Sequence, residues 1–482
     1  MKKESWKKQT FWSLPVYTGD VSGVCSALYE LGGMVVIHDP SGCNSTYNTH
    51  DEVRWMSMDS LIFISGLRDI DAITGNDEKL IDDTVCAAEK LHPAFIAFAN
   101  SPIPWVNGTD FKAISRIVQQ KTGIPTFYVG TNAAHDYTRG AGEAFLALAE
   151  MLFGEAGGRC GKKAGAETEE PEEIKEIKEP EETKEIREIR ESKENGKLEG
   201  ERQDFRGDRI RINVLGLTPL DFTVRKDVST LRGILEEGGF ELLSMWAMED
   251  TLENLRKAGS ADVNLLVSST GLPLARYLKK RFGTPYVSGI PIGAFREPLF
   301  SALREAAEHG ESQAAYLRVL REGREAARLK TFQGGEERAS SAEAQAKTPA
   351  EGFPERRKCA VIGEPVSMGS LAAAWYLEGK GREWTIIATT ETREALLSEE
   401  DLFPEGEEEI REALSSFDHV AGDPFYRKAV RAGTSFTALP HFAYSGRVYL
   451  SGILSCFEAA GNVIPASVRN CEKTGVSGHM ED

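Results

Sequence analysis

The chain has no CxxC pair, no GxxxxGKS/T loop and no GxGxxG turn following a strand. The first absence removes any zinc-clip or ferredoxin-type motif. The other two remove the glycine-rich cradles that bind nucleotide phosphates, so any ATP used with this protein is expected on a partner. Cysteine is sparse: seven residues, an odd number scattered over the chain, make no disulfide framework, and a reducing cytoplasm is the expected compartment. No apolar run is long enough to span a bilayer. The start, MKKESWKKQTFW, is basic but lacks the apolar stretch of a secretory signal. Positive charge is also in deficit, with 57 Lys and Arg against 75 Asp and Glu and a net charge of −18. Nucleic acid and anionic membrane would repel such a chain, so neither is an expected partner.

What remains is the composition of a globular protein, 41% hydrophobic and 27% charged over 482 residues, too long for one core. In the first block, 34–38 (MVVIH) and 95–99 (FIAFA) read as buried parallel strands. Between them 77–91 carries Leu80, Ile81, Val85 and Ala88 at helical spacing, and a helix at 110–121 leads to a strand at 126–129. From 161 to about 208 the composition shifts to EEPEEIKEIKEPEETKEIREIRESKE, a charged repeat interrupted by Pro171 and Pro180, read as a solvated insertion.

A second block follows, with strands at 210–215, 242–245 and 264–267, helices at 228–237 and 273–282, and a long helix expected over 297–329. A Gly-, Ser- and charge-rich linker at 333–357 precedes a third block with strands at 358–362, 385–388 and 418–421 and a helix at 369–378. The expected architecture is α/β: three Rossmann-like domains with parallel β-sheets over 1–158, 209–332 and 358–482, separated by insertions at 159–208 and 333–357.

Several segments fall in one order. They are VVIHDPSGC (35–43), ITGNDEKL (73–80), HPAFIAFANSPIPWVNGTD (92–110), NVLG (213–216) with FGTPY and PIG, and GDP (422–424) with LPHFAYSGRVY (439–449). In this order they resemble the nitrogenase component 1 superfamily over nearly the whole chain outside the two insertions.

The resemblance implies an iron–sulfur cluster, in the form of [4Fe–4S], held at an interface. The second side of that interface is another component 1-like subunit or a second copy of this chain. An ATP-dependent iron–sulfur reductase is the implied electron donor. Iron in a cluster favours thiolates, and a turn after a strand can present one to a partner. Cys43 stands in such a turn, and Gly42 allows close backbone approach. The family's other two thiolate positions fall at Thr18 and at Ser101 and Pro102, which carry no sulfur. Three arrangements stay open. A partner supplies three cysteines to this chain's one, as in dark-operative protochlorophyllide reductase relatives, where a carboxylate takes one corner. A homodimer uses Cys43 twice with Cys25 or Asp20. Or Cys43 is a buried residue without metal.

True nitrogenases also carry a cysteine at the second domain's strand end, where this chain has Ser268 and Ser269, so nitrogen fixation is not the expected chemistry. His441 falls near the family's third-domain histidine and could ligate, donate a proton or cap a loop. His135, Asp136 and Tyr137 lie on a loop at a strand's carboxyl end, where proton donation is conceivable. Cys25, in an apolar helix, reads first as a packed residue. The loop of His50, Asp51, Glu52, Arg54 and Trp55 reads as a charged surface loop, or as the edge of a pocket or docking face. The functional expectation is an oxidoreductase subunit that passes electrons from a partner to a substrate between domains. Its rivals are a non-catalytic scaffold for metallocofactor assembly and a structural partner of a cluster-bearing subunit.

Overall fold

A computed structural model describes residues 11–40, 52–55, 57–154, 209–325, 358–379, 383–392 and 394–461. These residues form three sheets, every strand pairing parallel to its neighbours. Sheet I has the order β2-β1-β3-β4, from Ile62–Ile64, Met34–His38, Ile96–Asn100 and Thr126–Tyr128. Sheet II runs β6-β5-β7-β8-β9, from Phe240–Ala247, Ile210–Leu217, Val263–Leu266, Tyr286–Ser288 and Gln313–Ala314. Sheet III runs β11-β10-β12-β13, from Glu383–Ala388, Lys358–Gly363, His419–Gly422 and Ser435–Ala438. β1 and β3 are buried at every position, which explains why they read as unbroken apolar runs instead of alternating ones. In each sheet the first strand pairs with two others, placing a crevice at the carboxyl ends where the chain order reverses.

Glycine fixes how the first layer meets the rest. A Cβ on Gly140 would lie 1.9 Å from the carbonyl oxygen of Asp20, and one on Gly23 would lie 2.3 Å from that of Tyr137. The helices Asp20–Leu28 and Tyr137–Phe153 therefore cross backbone to backbone. Asp136 caps the second helix, accepting the Thr138 N–H at 2.9 Å. Tyr137, read from sequence as a loop residue, is this helix's first residue and is fully buried.

The single helix expected over 297–329 is broken. Arg296–His309 ends at Gly310, whose φ of 77° closes the helix with a left-handed residue, and β9 follows before the chain turns helical again. On the helix Asp77–Leu91, Thr84 takes the buried place expected for Val85 by donating its hydroxyl to the Leu80 carbonyl. Gly42, Cys43, His50, Asp51 and both insertions lie outside the described residues. Among the described residues no helix is long and apolar enough to cross a membrane.

Candidate functional site

The site is built on an aspartate just past the end of β5. Asp221 has a fully buried side chain. Its Oδ1 accepts the Tyr137 hydroxyl at 2.5 Å and lies 3.1 Å from Nε2 of His441, while Oδ2 accepts the Ser268 hydroxyl at 2.7 Å. Tyr137 comes from the first block, Asp221 and Ser268 from the second, and His441 from the third. Ser268, where the resemblance led to the expectation of a cysteine in true nitrogenases, donates its hydroxyl to this carboxylate. Burial alone would disfavour the imidazolium, but the hydrogen bond and charge of Asp221, with Asp423 and Glu364 nearby, outweigh it and hold His441 above its ordinary pKa. Nδ1 of His441 is buried and has no hydrogen-bond partner, and the backbone N–H of His441 is fixed by Asp423 at 2.9 Å.

Glu364 closes the inner side. Its carboxyl group is buried, accepts the N–H groups of Ser269 at 2.8 Å and Ser367 at 2.7 Å, and caps the helix Pro365–Leu377. Burial and the neighbouring Asp221 charge raise its pKa. The ring of Tyr17 packs on Tyr137, His441 and Tyr444 at centroid distances of 5.8, 5.9 and 4.6 Å.

Beside this cluster lies a cavity of about 410 Å³, with Asp221 and His441 in its wall. Most of the lining is apolar, including Phe222, Ile290, Ile292, Leu371, Leu439 and Ile453. A volume of this order with a few convergent polar groups is typical of a small-molecule site. Val53 and Ser57 also line it.

The remaining residues expected at a site are placed as follows. Asp20 is buried, and its carboxylate accepts N–H groups of Val21, Asn132 and Ala133 at 2.7, 2.9 and 2.9 Å, so it braces the loop before Tyr137. His135 stands on that loop, partly exposed, with Nδ1 3.0 Å from Glu391, apart from the Asp221 cluster. Cys25 is fully buried in its helix, and burial pushes its thiol well up. Glu52 and Arg54, read as surface charges, are instead a buried ion pair at 2.7 Å. Ser101 follows β3 directly, with its hydroxyl buried and unpartnered, and Thr18 is tied through its backbone to Ala443 and Tyr137. Among the described residues no three His, Cys, Asp or Glu side chains are grouped to hold a metal ion. The described residues alone therefore do not furnish a cluster's ligand set. Sequence reasoning missed Asp221 and Glu364, and it named Tyr137 only with His135 and Asp136 on a loop. The signal for Asp221 was its place in a loop at the carboxyl end of the second block's first strand.

These features define a class. The chain belongs to the family described as "Nitrogenase component 1 type Oxidoreductase", whose profile matches residues 22–418. Among individual relatives, it is 32% identical over 108 residues to a component of the light-independent protochlorophyllide reductase of Synechococcus sp. (strain JA-3-3Ab), covering 22% of this chain and 21% of that protein. It is 36% identical over 83 residues to the corresponding component from Prosthecochloris aestuarii (strain DSM 271 / SK 413), covering 17% and 16%. The matched stretch thus spans no more than about a fifth of these relatives' length. A solved structure titled "Nitrogenase Cp1 at pH 5" superposes with a TM-score of 0.53 at 13% identity, covering 95% of this chain and 92% of that one, a likeness of fold alone.

Proposed function

We propose that this chain is the substrate-binding component 1 subunit of a nitrogenase-like reductase, and that the apolar cavity beside His441 is where its substrate sits. The observation that carries the reading is the His441–Asp221 pair in the cavity wall. A reductase that delivers electrons one at a time leaves an anionic centre on its substrate, and a proton must follow. His441 holds a proton through Asp221, while apolar walls keep bulk water away. This assigns His441 as proton donor, Asp221 as the group that orients and charges it, and Tyr137 and Ser268 as donors that fix Asp221.

Electrons are assigned to a separate ATP-dependent iron–sulfur protein. Ile73 and Val106 are 81% and 74% exposed, and Ile70, Ile103 and Trp105 are exposed with them on the short helices Asp69–Thr74 and Pro102–Val106. Asn107 ties the two helices by donating to the Ala72 carbonyl at 2.9 Å. An apolar patch of this kind beside Ser101 suits a transient protein partner. The family's iron–sulfur cluster would supply one-electron chemistry. In this chain it calls for the Cys43 thiolate together with ligands from a second component 1-like subunit or a second copy.

The test is reconstitution with the partner subunit and the reductase under anaerobic conditions. His441→Gln is expected to lower substrate reduction by roughly 10²–10⁴-fold while leaving the fold intact, and Cys43→Ser to abolish cluster absorption. Undiminished turnover in His441→Gln removes the proton-donor assignment. Metal-free protein that persists after co-expression with the partners removes the cluster. A scaffold for cofactor assembly, the rival reading, would release its metal group to an acceptor protein and show no turnover.

A further inference from the structure

We infer that Arg225 anchors an anionic group on the ligand of this cavity, so that the site selects an amphipathic molecule with an apolar body and one carboxylate-like head. The inference rests on the cavity being the substrate site and adds the chemical class of what enters it. Three observations carry it.

The first is charge. Among the described residues, the charged side chains lining the cavity are Asp221 and Arg225, with His441 beside them. Asp221 is buried and receives Tyr137, Ser268 and His441. The charges adjoining Arg225 in sequence are engaged too. Lys226 pairs with Glu458, and Asp227 is buried, accepting the Thr223 N–H at 2.6 Å and the Ser455 hydroxyl. The guanidinium of Arg225 has no hydrogen bond, ion pair or ring contact among the described residues. A planar fork of five N–H donors matches a carboxylate bidentately, which a lysine in its place could not do.

The second is position. Arg225 is exposed, whereas His441 and Asp221 are nearly or fully buried. The unpaired cation is therefore at the solvent side of a cavity whose proton-bearing group lies inside. A ligand with its apolar part in the interior would place one end at His441 and leave the other at the rim. An anion there keeps part of its hydration and gains the guanidinium, while a second anion deeper in the cavity would face Asp221. One anionic group is the number this distribution favours.

The third is backbone conformation. Arg225 has φ 64° and ψ −49°, a region that residues with a Cβ rarely adopt, immediately before the helix Lys226–Glu237. The turn is held by the Lys226 N–H to the Val224 carbonyl at 2.8 Å and by the Thr223 N–H to Asp227. Such strain persists only where the surroundings impose it, and it concentrates at ligand clamps. A surface arginine needed only for solubility calls for no such backbone.

The test uses the full-length chain and two fluorescent probes that share an apolar body, pyrenebutyrate and pyrenebutanol. The wild type is expected to bind the butyrate at least tenfold more tightly than the alcohol, with a preference that shrinks as salt rises. Arg225→Gln is expected to bring the butyrate to the affinity of the alcohol and to leave the alcohol unchanged. Because Arg225 is exposed and unpaired, this variant should fold normally. Leu454→Trp, placed in the cavity wall at a half-exposed position, should weaken both probes and so show that they occupy this cavity. Equal binding of the two probes by the wild type, or a preference that survives in Arg225→Gln, overturns the anchor alone. Failure of both probes to bind, or indifference of both to Leu454→Trp, overturns the cavity as a ligand site and the anchor with it.

Discussion

Tyr137 and His441, from the first and third blocks, hydrogen-bond the same oxygen, Oδ1 of Asp221, at 2.5 and 3.1 Å. The protonation of His441 is therefore set by a carboxylate that two other parts of the chain hold in place. Removing that carboxylate leaves burial as the dominant influence on the imidazole, and burial disfavours its charge. In Asp221→Asn the His441 pKa is expected to drop from above its ordinary value to below it, read by histidine NMR titration. The stability consequence follows in sign. In the wild type the folded pKa exceeds the unfolded value, so this pair's contribution is fully present below about pH 6.5 and is lost as pH rises through the folded pKa. Asp221→Asn should reverse that pH dependence, because a folded pKa below the unfolded value makes stability rise with pH, and an unchanged slope between pH 6 and 8 would separate His441 from Asp221.

The crossing of the helices Asp20–Leu28 and Tyr137–Phe153 supplies a second prediction. In Gly140→Ala the new methyl would sit 1.9 Å from a backbone oxygen, which cannot swing aside as a side chain would. Forced separation of packed elements costs about 1–3 kcal/mol, and the upper end is expected here. Because Tyr137 begins the displaced helix, the His441 titration should also shift. A denaturation midpoint equal to that of wild type would mean that the helices do not cross this closely.

The sheets were legible in the sequence because β1, β3, β5 and β10 are largely buried on both faces and bounded by turn residues. The missed strands β2, β8, β9 and β13 are only 3, 3, 2 and 4 residues long, too short for a strand pattern to stand out. β4 is equally short, yet the strand expected at 126–129 falls within one residue of it, because Gly123 and Pro125 punctuate its start. The Asp221 cluster was not legible, because its members lie far apart in sequence: Ser268 is 47 positions from Asp221, Tyr137 is 84 and His441 is 220. No local spacing records such a meeting. Of that cluster His441 carried a signal through its neighbours in LPHFAYSG, and Tyr137 and Ser268 through their places after strands, but nothing joined them to Asp221. Charge was misleading at Glu52 and Arg54, where opposite signs two residues apart made a buried pair and not a solvated loop.

That pair yields a third prediction. Arg54 has no exposed side-chain surface and donates to Glu52 at 2.7 Å, to Glu30 at 2.9 Å and to the Ser26 carbonyl at 2.8 Å. Glu30 in turn accepts the Glu249 N–H at 2.7 Å, linking the first block to the second. Arg54→Met would leave two carboxylates without their cation in a dry site, a loss of about 3–5 kcal/mol. Adding Glu52→Gln should recover part of it, because the stranded charge is then gone. Chemical denaturation of the single and double variants measures this, and additive losses would show that Arg54 and Glu52 act separately.

Glu407 holds the start of the described chain. Its carboxylate accepts the N–H groups of Trp12, Ser13 and Leu14 at 2.7, 2.9 and 3.1 Å and the Ser13 hydroxyl at 2.7 Å, and Arg411 flanks it at 2.7 Å. Burial pushes its pKa up, but these donors outweigh it and hold the carboxyl well below its ordinary range. A depressed folded pKa means the contact's stabilisation is present above about pH 4.3 and fades as pH falls through the folded value. Glu407→Gln keeps the shape but exchanges a charged acceptor for a neutral one, and its amide can no longer accept at both positions. The arm carrying Trp12 and Leu14 should then loosen. Limited proteolysis at neutral pH is expected to cut between 11 and 17 in Glu407→Gln and to spare the wild type, while the His441 titration stays as it was. Equal protection of both proteins would place the arm's anchorage in the packing of Leu14 against Ile410 and Leu414, and not in Glu407.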